Sequence, residues 1–221
     1  MSPVVPPPSA TATGVAHARA VFVNCPFDSA FEPSMDAIIF TIVCCGFEPR
    51  SALETDRTSE SRMTRIVNAL RGSHLSIHDL SRIYGSADTG LARMNMPLEL
   101  GIAMALKLSY DKNETQLPHD WTALVTEGAP YQRAISDLNG HDLKTYDSRL
   151  ALISKVLSWL DFHLGDPGVH FTPTDVMNAL EPFDAELRTL RTRWPAGSLS
   201  WKRLVNCARE VVLADRTLRT S

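Results

Sequence analysis

Apolar and polar positions along this chain follow two rhythms, a short β-type run and a helical stripe, and the switches between them mark out the elements. Ala20-Val21-Phe22-Val23-Asn24-Cys25 is an apolar run rich in β-formers that stops at Pro26-Phe27-Asp28, so a buried strand is expected to end there in a loop. Ser34 to Cys45 is apolar over much of its surface and is followed by Gly46, the pattern of a buried helix closed by a glycine. Gly46 to Leu53 fits a shorter second strand, which Pro49 restricts to an edge. From Ser59 to Leu70, Met63, Ile66, Val67 and Leu70 recur at helical spacing opposite Arg62, Arg65 and Asn68, and Gly72 follows as a stop. His74 to Ser81 is a third strand candidate, and a flexible stretch from Tyr84 to Gly90 follows it. A helix from Pro97 to Lys107 has Pro in its first turn and an apolar stripe of Leu98, Ile102, Ala105 and Leu106, with Glu99 beside the stripe. Thr122–Thr126 and Asp142–Tyr146 complete a set of five strands, and a helix from Arg149 to Phe162 follows the last.

Strands alternating with helices imply crossover connections, hence a parallel sheet covered on both faces. The expected fold is α/β and flavodoxin-like: five parallel strands in the order 2-1-3-4-5, flanked by helices, with a C-terminal helical extension. The expected organisation is a disordered leader over 1–17, an α/β domain over 18–165 and the extension over 166–221. In the extension, Thr174 to Arg193 reads as one helix with Thr174 as its cap, an apolar stripe of Val176, Leu180, Phe183, Leu187 and Leu190, and an interruption or kink at Pro182. Pro195 and Gly197 form a break before a second helix from Trp201 to Leu213. Such helices pack on their own domain or on a second copy.

Composition narrows the function. A chain of 221 residues with 44% hydrophobic content can bury a substantial core. A formal charge of −3 without a basic cluster disfavours a partner held by phosphate neutralisation, so no nucleic acid is expected. Cys25, Cys44, Cys45 and Cys207 have no metal-type spacing and read as buried small hydrophobes in a reducing cytoplasm. The Pro-, Ser-, Thr- and Ala-rich N-terminus, with no charged n-region and no continuous apolar core, is expected to be neither a signal peptide nor a membrane anchor.

In an open parallel sheet, ligands collect outside the carboxyl ends of the strands where strand order reverses. The expected order places Asn24, Cys25, Pro26, Phe27 and Asp28 there from the first strand and Asp79, Ser81 and Arg82 from the third, with Glu99 opening the next helix. The helix macrodipole alone accounts for an acid in a first turn, but convergence of three segments makes Glu99 the candidate catalytic residue. A carboxylate in such a crevice can stabilise or attack an oxocarbenium-like sugar carbon. When the departing base is already cationic, no strong general acid is needed. Asp79 suits a ribose hydroxyl or a nucleobase, or else caps a turn; Arg82 and Arg93 suit a phosphate, or else a solvated surface. His74 and His78 lie roughly 13 Å apart in a strand, too far for a shared metal. A triad from Ser81, His78 and Asp79 is opposed by strand geometry, which turns neighbours to opposite faces. Neither G-x-G-x-x-G nor a Walker A pattern is present. Trp159, Trp194 and Trp201 fall on helical stripes and read as packing residues.

The runs Val21-Phe22-Val23-Asn24-Cys25-Pro26-Phe27-Asp28, Cys45 to Glu54, Ile77-His78-Asp79-Leu80-Ser81-Arg82 and Asn95-Met96-Pro97-Leu98-Glu99-Leu100-Gly101 resemble a widespread bacterial family of TIR-like proteins, as do Tyr131-Gln132 and Ile135 to Asp142. The resemblance spans about residues 20 to 160. Asn95 and Glu99 in an N-x-x-x-E-L-G pattern also resemble, more distantly, the nucleoside 2-deoxyribosyltransferases. In both groups the matching Glu sits in the active crevice. The resemblance implies a nucleotide site made by Asn24, Pro26, Phe27, Asp28, Asp79, Ser81, Arg82 and Asn95, with Glu99 catalytic. It implies hydrolysis or exchange of an N-glycosidic bond, with NAD or a related nucleotide as substrate rather than cofactor, in a homo-oligomer serving bacterial defence. A non-catalytic nucleotide sensor, or an assembly module acting on a protein partner through the C-terminal helices, is the alternative.

Overall fold

The computed structural model describes residues 19–54, 59–83, 94–109, 117–165, 168–194, 199–215 and 217–218. The leader over 1–17, the Tyr84–Gly90 stretch, Arg93, and Pro195 and Gly197 lie outside the described residues. The chain is α/β with one five-stranded, all-parallel sheet in the order β2-β1-β3-β4-β5, as the alternation implied. Its strands are β1 (Ala20–Asn24), β2 (Glu48–Arg50), β3 (Leu75–Asp79), β4 (Asp120–Thr126) and β5 (Lys144–Tyr146). The helices are α1 (Glu32–Cys44), α2 (Arg62–Arg71), α3 (Asn95–Leu108), the short α4 (Tyr131–Ala134) with a 3-10 turn over Ser136–Gly140, α5 (Arg149–Leu164), α6 (Pro173–Arg193) and α7 (Trp201–Ala214). None is long and apolar enough to cross a membrane.

Helix ends follow the local chemistry. α1 carries Pro in its first turn and ends on Gly46 at φ +72°, with Gly46 N–H bonded to the Val43 carbonyl and Phe47 N–H to that of Ile42, a Schellman closure. Ser61 caps α2 by accepting from Thr64 N–H. The cap of α6 is Thr172 rather than Thr174: Thr172 and Asp175 form a reciprocal capping box, so the cap lies two residues earlier, with Pro173 in the helix's first turn. Pro182 lies within α6, which continues through it to Arg193.

Strands β1 and β3 are buried at every position because helices cover both faces. One face carries Val21, Val23, Leu75, Ile77 and Leu124 against α1 and α5, and the same core continues without a break into Val176, Phe183, Leu187, Trp201 and Leu204 of α6 and α7. That is why α1 is buried from Asp36 to Cys44: the sheet lies on one side of it and the C-terminal helices on the other. The opposite face carries Phe22 against Ile66, Ala69 and Leu70 of α2 and Ala103 of α3. Beside it, Met96 and Leu100 of α3 pack with Leu80, Ile83, Ala123 and Leu138. All four cysteines are buried and unpaired.

Candidate functional site

Parallel register aligns Asn24, the last residue of β1, with His78 of β3. Asn24 and His78 therefore share a sheet face, and Ser76, two residues back on β3, shares it with them. Asn24 Nδ2 lies 2.9 Å from His78 Nδ1 and donates to the Met96 carbonyl at 3.0 Å, linking β1, β3 and the first turn of α3. His78 Nε2 lies 2.9 Å from Ser76 Oγ, Ser76 Oγ lies 2.8 Å from His119 Nε2, and His119 Nδ1 lies 2.9 Å from the Ser73 carbonyl. The ends of this chain fix its direction. A carbonyl can only accept, so His119 Nδ1 carries a proton and, in a neutral ring, its Nε2 accepts from Ser76. Ser76 then accepts from His78 Nε2–H, which leaves His78 Nδ1 to accept from the Asn24 amide. Burial, with a smaller contribution from His119, holds the His78 ring down to about 3, so it stays neutral.

Glu99 sits one turn beyond Met96 with its side chain only 6% exposed. The buried positions of α3 are Met96, Glu99, Leu100 and Ala103, whereas Leu98 and Ala105 are exposed and Ile102 and Leu106 half-buried. The expected stripe was thus displaced, and Glu99 lies within the buried face rather than beside it. The cause is that α3 is apolar almost all round, so contact with the sheet, not periodicity, selects its inner face. Glu99 borders a hollow of about 240 Å³ shared with Arg62, Met63, Ile66, Asn95 and Leu98. Burial pushes its carboxyl up to about 7, against the opposing charge of Arg62, whose Nη2 is 3.9 Å from Glu99 Oε1. Asn24 and Ser81, expected at the same rim as Glu99, direct their hydrogen bonds elsewhere.

Asp79 follows His78 and so faces the other side of the sheet. Tyr146 Oη donates to its Oδ2 at 2.8 Å and Ser81 N–H to its Oδ1 at 2.9 Å, while Ser81 Oγ lies 3.1 Å from Tyr146 Oη and accepts from Thr126 N–H. Burial pushes the Asp79 carboxyl up to about 6 despite these donors and the charge of Arg82. Asp79 and Ser81 belong to one face and His78 to the other, so the three form no triad. Arg82 pairs with Asp28 at 3.0 Å, and Asp28 also accepts from Phe31 N–H, joining the loops after β1 and β3. Pro26 is buried, Phe27 exposed, and Asn95 exposed at the edge of the Glu99 hollow. A second hollow, of about 430 Å³, lies at the ends of β4 and β5 between Thr126, Gly128, Tyr131, Gln132 and Thr145.

The strand ends thus place Asn24 in one network and Asp79 and Ser81 in another, while Asp28 pairs with Arg82 and Glu99 faces Arg62. Sequence reasoning missed Arg62, Ser76, His119 and Tyr146. The alternation of Ser76 and His78 in a strand buried on both sides was the available signal, because polar groups there need internal partners. Scanned against protein-family models and compared with curated proteins, the chain finds no match.

Proposed function

We propose that this chain binds a nucleotide at the carboxyl-end rim and cleaves or exchanges its N-glycosidic bond, Glu99 being the catalytic carboxylate. The observation that carries the reading is a buried glutamate, pushed up to about 7, facing an otherwise largely apolar hollow with one guanidinium opposite. At about 240 Å³ the hollow falls below the usual range of about 300–1,000 Å³ for drug-sized ligands, so it takes a base or its sugar and leaves the rest of a dinucleotide outside. Met63, Ile66 and Leu98 offer apolar contact to a planar ring. As the bond from the anomeric carbon to the base nitrogen breaks, its electron pair leaves with the base and positive charge grows on the sugar. Ionised Glu99 stabilises that charge in a low-dielectric setting. Water then forms the new bond to the carbon and gives up a proton to Glu99 or solvent. A base that departs from a cationic nitrogen, as in NAD, becomes neutral without an acid.

This is the chemistry implied by the TIR-like resemblance, and with it go cytoplasmic action in bacterial defence and assembly into homo-oligomers. The test is mass-resolved detection of free base after incubating wild-type and Glu99→Gln protein with NAD, NADP, nucleosides and nucleotides. Release by wild type alone is expected; equal release by both proteins removes Glu99 from the mechanism. A second reading, a nucleotide sensor acting on a protein partner, is favoured by the ties between the start of α1 and the C-terminal helices. Arg149 donates to the Pro33 carbonyl and pairs with Asp184 of α6, while Arg191 of α6 pairs with Glu32 and Asp36. Saturable binding without product, accompanied by a changed oligomeric state, selects that reading.

A further inference from the structure

We infer that Asn24 is the positioning residue for Glu99, and that the buried chain Asn24–His78–Ser76–His119 keeps its amide aimed at α3. The inference deepens the reading of Glu99 as the reacting carboxylate and rests on it. Sequence reasoning placed Asn24 among ligand contacts, but its side chain is buried and its amide nitrogen is committed within the protein, to Met96 and His78. Met96 and Glu99 are three apart on one helical face, so the carbonyl that Asn24 holds lies one turn from the carboxylate. Anchoring the first turn of α3 to β1 sets how far Glu99 projects over the strand ends.

The directional chain gives this anchor a remote control. Asn24 can donate to His78 only while His78 Nδ1 is unprotonated, and that tautomer holds because Ser76 donates away from it, to His119. His119 precedes β4 and bonds the Ser73 carbonyl, five residues and roughly 16 Å of strand rise back from His78. Replacing His119 with Phe removes the acceptor, so Ser76 turns its hydroxyl proton toward His78 Nε2. The ring then carries its proton on Nδ1, facing the Asn24 N–H, and the amide must rotate away from Met96. His119→Gln keeps both functions, since an amide oxygen can accept from Ser76 while its nitrogen donates to Ser73. The chain runs one way, from the Asn24 amide to a carbonyl, so it orients groups and does not deliver a proton to Glu99.

The test uses the full chain with ¹³C-labelled glutamate and ¹⁵N-labelled histidine, the Glu99 resonance being assigned by its loss in Glu99→Gln. The charged group that acts on Glu99 is Arg62 of α2; Glu99 in turn acts on the buried Cys25 together with Asp79, Asp36 and Asp28, and none of these residues is altered in the Asn24 and His119 variants. In wild type, His78 is expected with Nδ1 bare and Nε2 protonated. In Asn24→Ala and in His119→Phe, the Glu99 midpoint is expected to fall by about one unit as the freed turn admits water. His119→Gln is expected to restore it. Where base release is found, the same two variants lower kcat ~100-fold with KM little changed. A folded Asn24→Ala protein with an unmoved Glu99 midpoint overturns the inference, as do equal effects of His119→Phe and His119→Gln. If Asn24→Ala does not fold, the His119 pair decides. A shifted midpoint in a protein that releases no base rejects N-glycosidic chemistry while upholding the link between Asn24 and Glu99.

Discussion

Arg191 of α6 presents both terminal guanidinium nitrogens to the two carboxylate oxygens of Asp36 in α1, at 2.9 and 3.0 Å, across 155 residues of chain. Asp36 is almost wholly buried, and the same guanidinium reaches Glu32 at 3.1 Å one turn earlier on α1. The pair therefore fastens the C-terminal helices to the helix that leads out of the candidate site. Breaking it from the arginine side strands a buried carboxylate. Arg191→Leu is expected to cost about 3–5 kcal/mol, and Asp36→Leu combined with Arg191→Leu is expected to recover most of that. Urea unfolding of the two single variants and the double variant closes the cycle; strictly additive losses would dissolve the coupling.

Three buried carboxyls shape the response to pH. On folding, burial raises Glu99 from 4.5 to about 7, and Asp79 and Asp36 each from 3.8 to about 6. Between about pH 4 and pH 7 the folded chain therefore holds more protons on these three groups than the unfolded one, outweighing the single proton it lacks on His78, whose ring burial holds down to about 3. The contribution of these groups to stability is full below the unfolded values and is lost as pH rises through the folded values. The urea midpoint is expected to decline from pH 5 to pH 8, and Glu99→Gln to flatten the upper part of the decline, leaving the variant more stable than wild type at pH 8. A wild-type midpoint that rises across this range contradicts the assignment.

The elements were legible because local chemistry and tertiary structure agree there. Gly46 closes α1 where a glycine was needed, Pro49 sits in an edge strand, and Asn24, Asp79 and Thr126 end strands at one rim. The inner face of α3 was not legible. Leu98 is 52% exposed and Glu99 is inside because a helix with apolar residues on every side carries no periodic signal of its own orientation. Arg62 escaped notice for the opposite reason: its helix is plainly amphipathic, and its polar side reads as solvated until α3 is docked alongside. The division between Asp79 and Glu99 follows from strand alternation, which the sequence contains, and from which helices cover each face, which it does not state.

Trp201 guards one edge of the sheet. β2 is a three-residue edge strand, and the Trp201 indole N–H donates to the Pro49 carbonyl at 3.0 Å while the ring packs in the main core. Trp201→Phe keeps most of the packing and removes the donor, leaving a buried carbonyl unmet at a cost of about 1–3 kcal/mol. Trp201→Ala removes both and is expected to cost about 3–5 kcal/mol. Denaturant unfolding followed by circular dichroism checks the order; equal losses for the two variants would assign the whole effect to the N–H donor.

The C-terminal helices are expected to be required for the α/β unit to hold its native packing. α1 is buried from Asp36 to Cys44, and Phe40 stacks on Phe183 of α6 with ring centroids 4.9 Å apart. Cutting the chain after Gly165 would uncover the outer side of α1, a contiguous apolar surface that also loses the partner of Asp36. The sheet and α2, α3 and α5 keep their mutual contacts, so secondary structure is expected to survive while side-chain packing loosens. The truncated chain should retain its far-ultraviolet circular dichroism, lose near-ultraviolet signal, bind the dye ANS and unfold with a shallower denaturant slope than the full chain. A truncated chain that binds no dye and unfolds with undiminished cooperativity would make α6 and α7 an accessory to the core, and the tie from Asp36 to Arg191 a surface clasp.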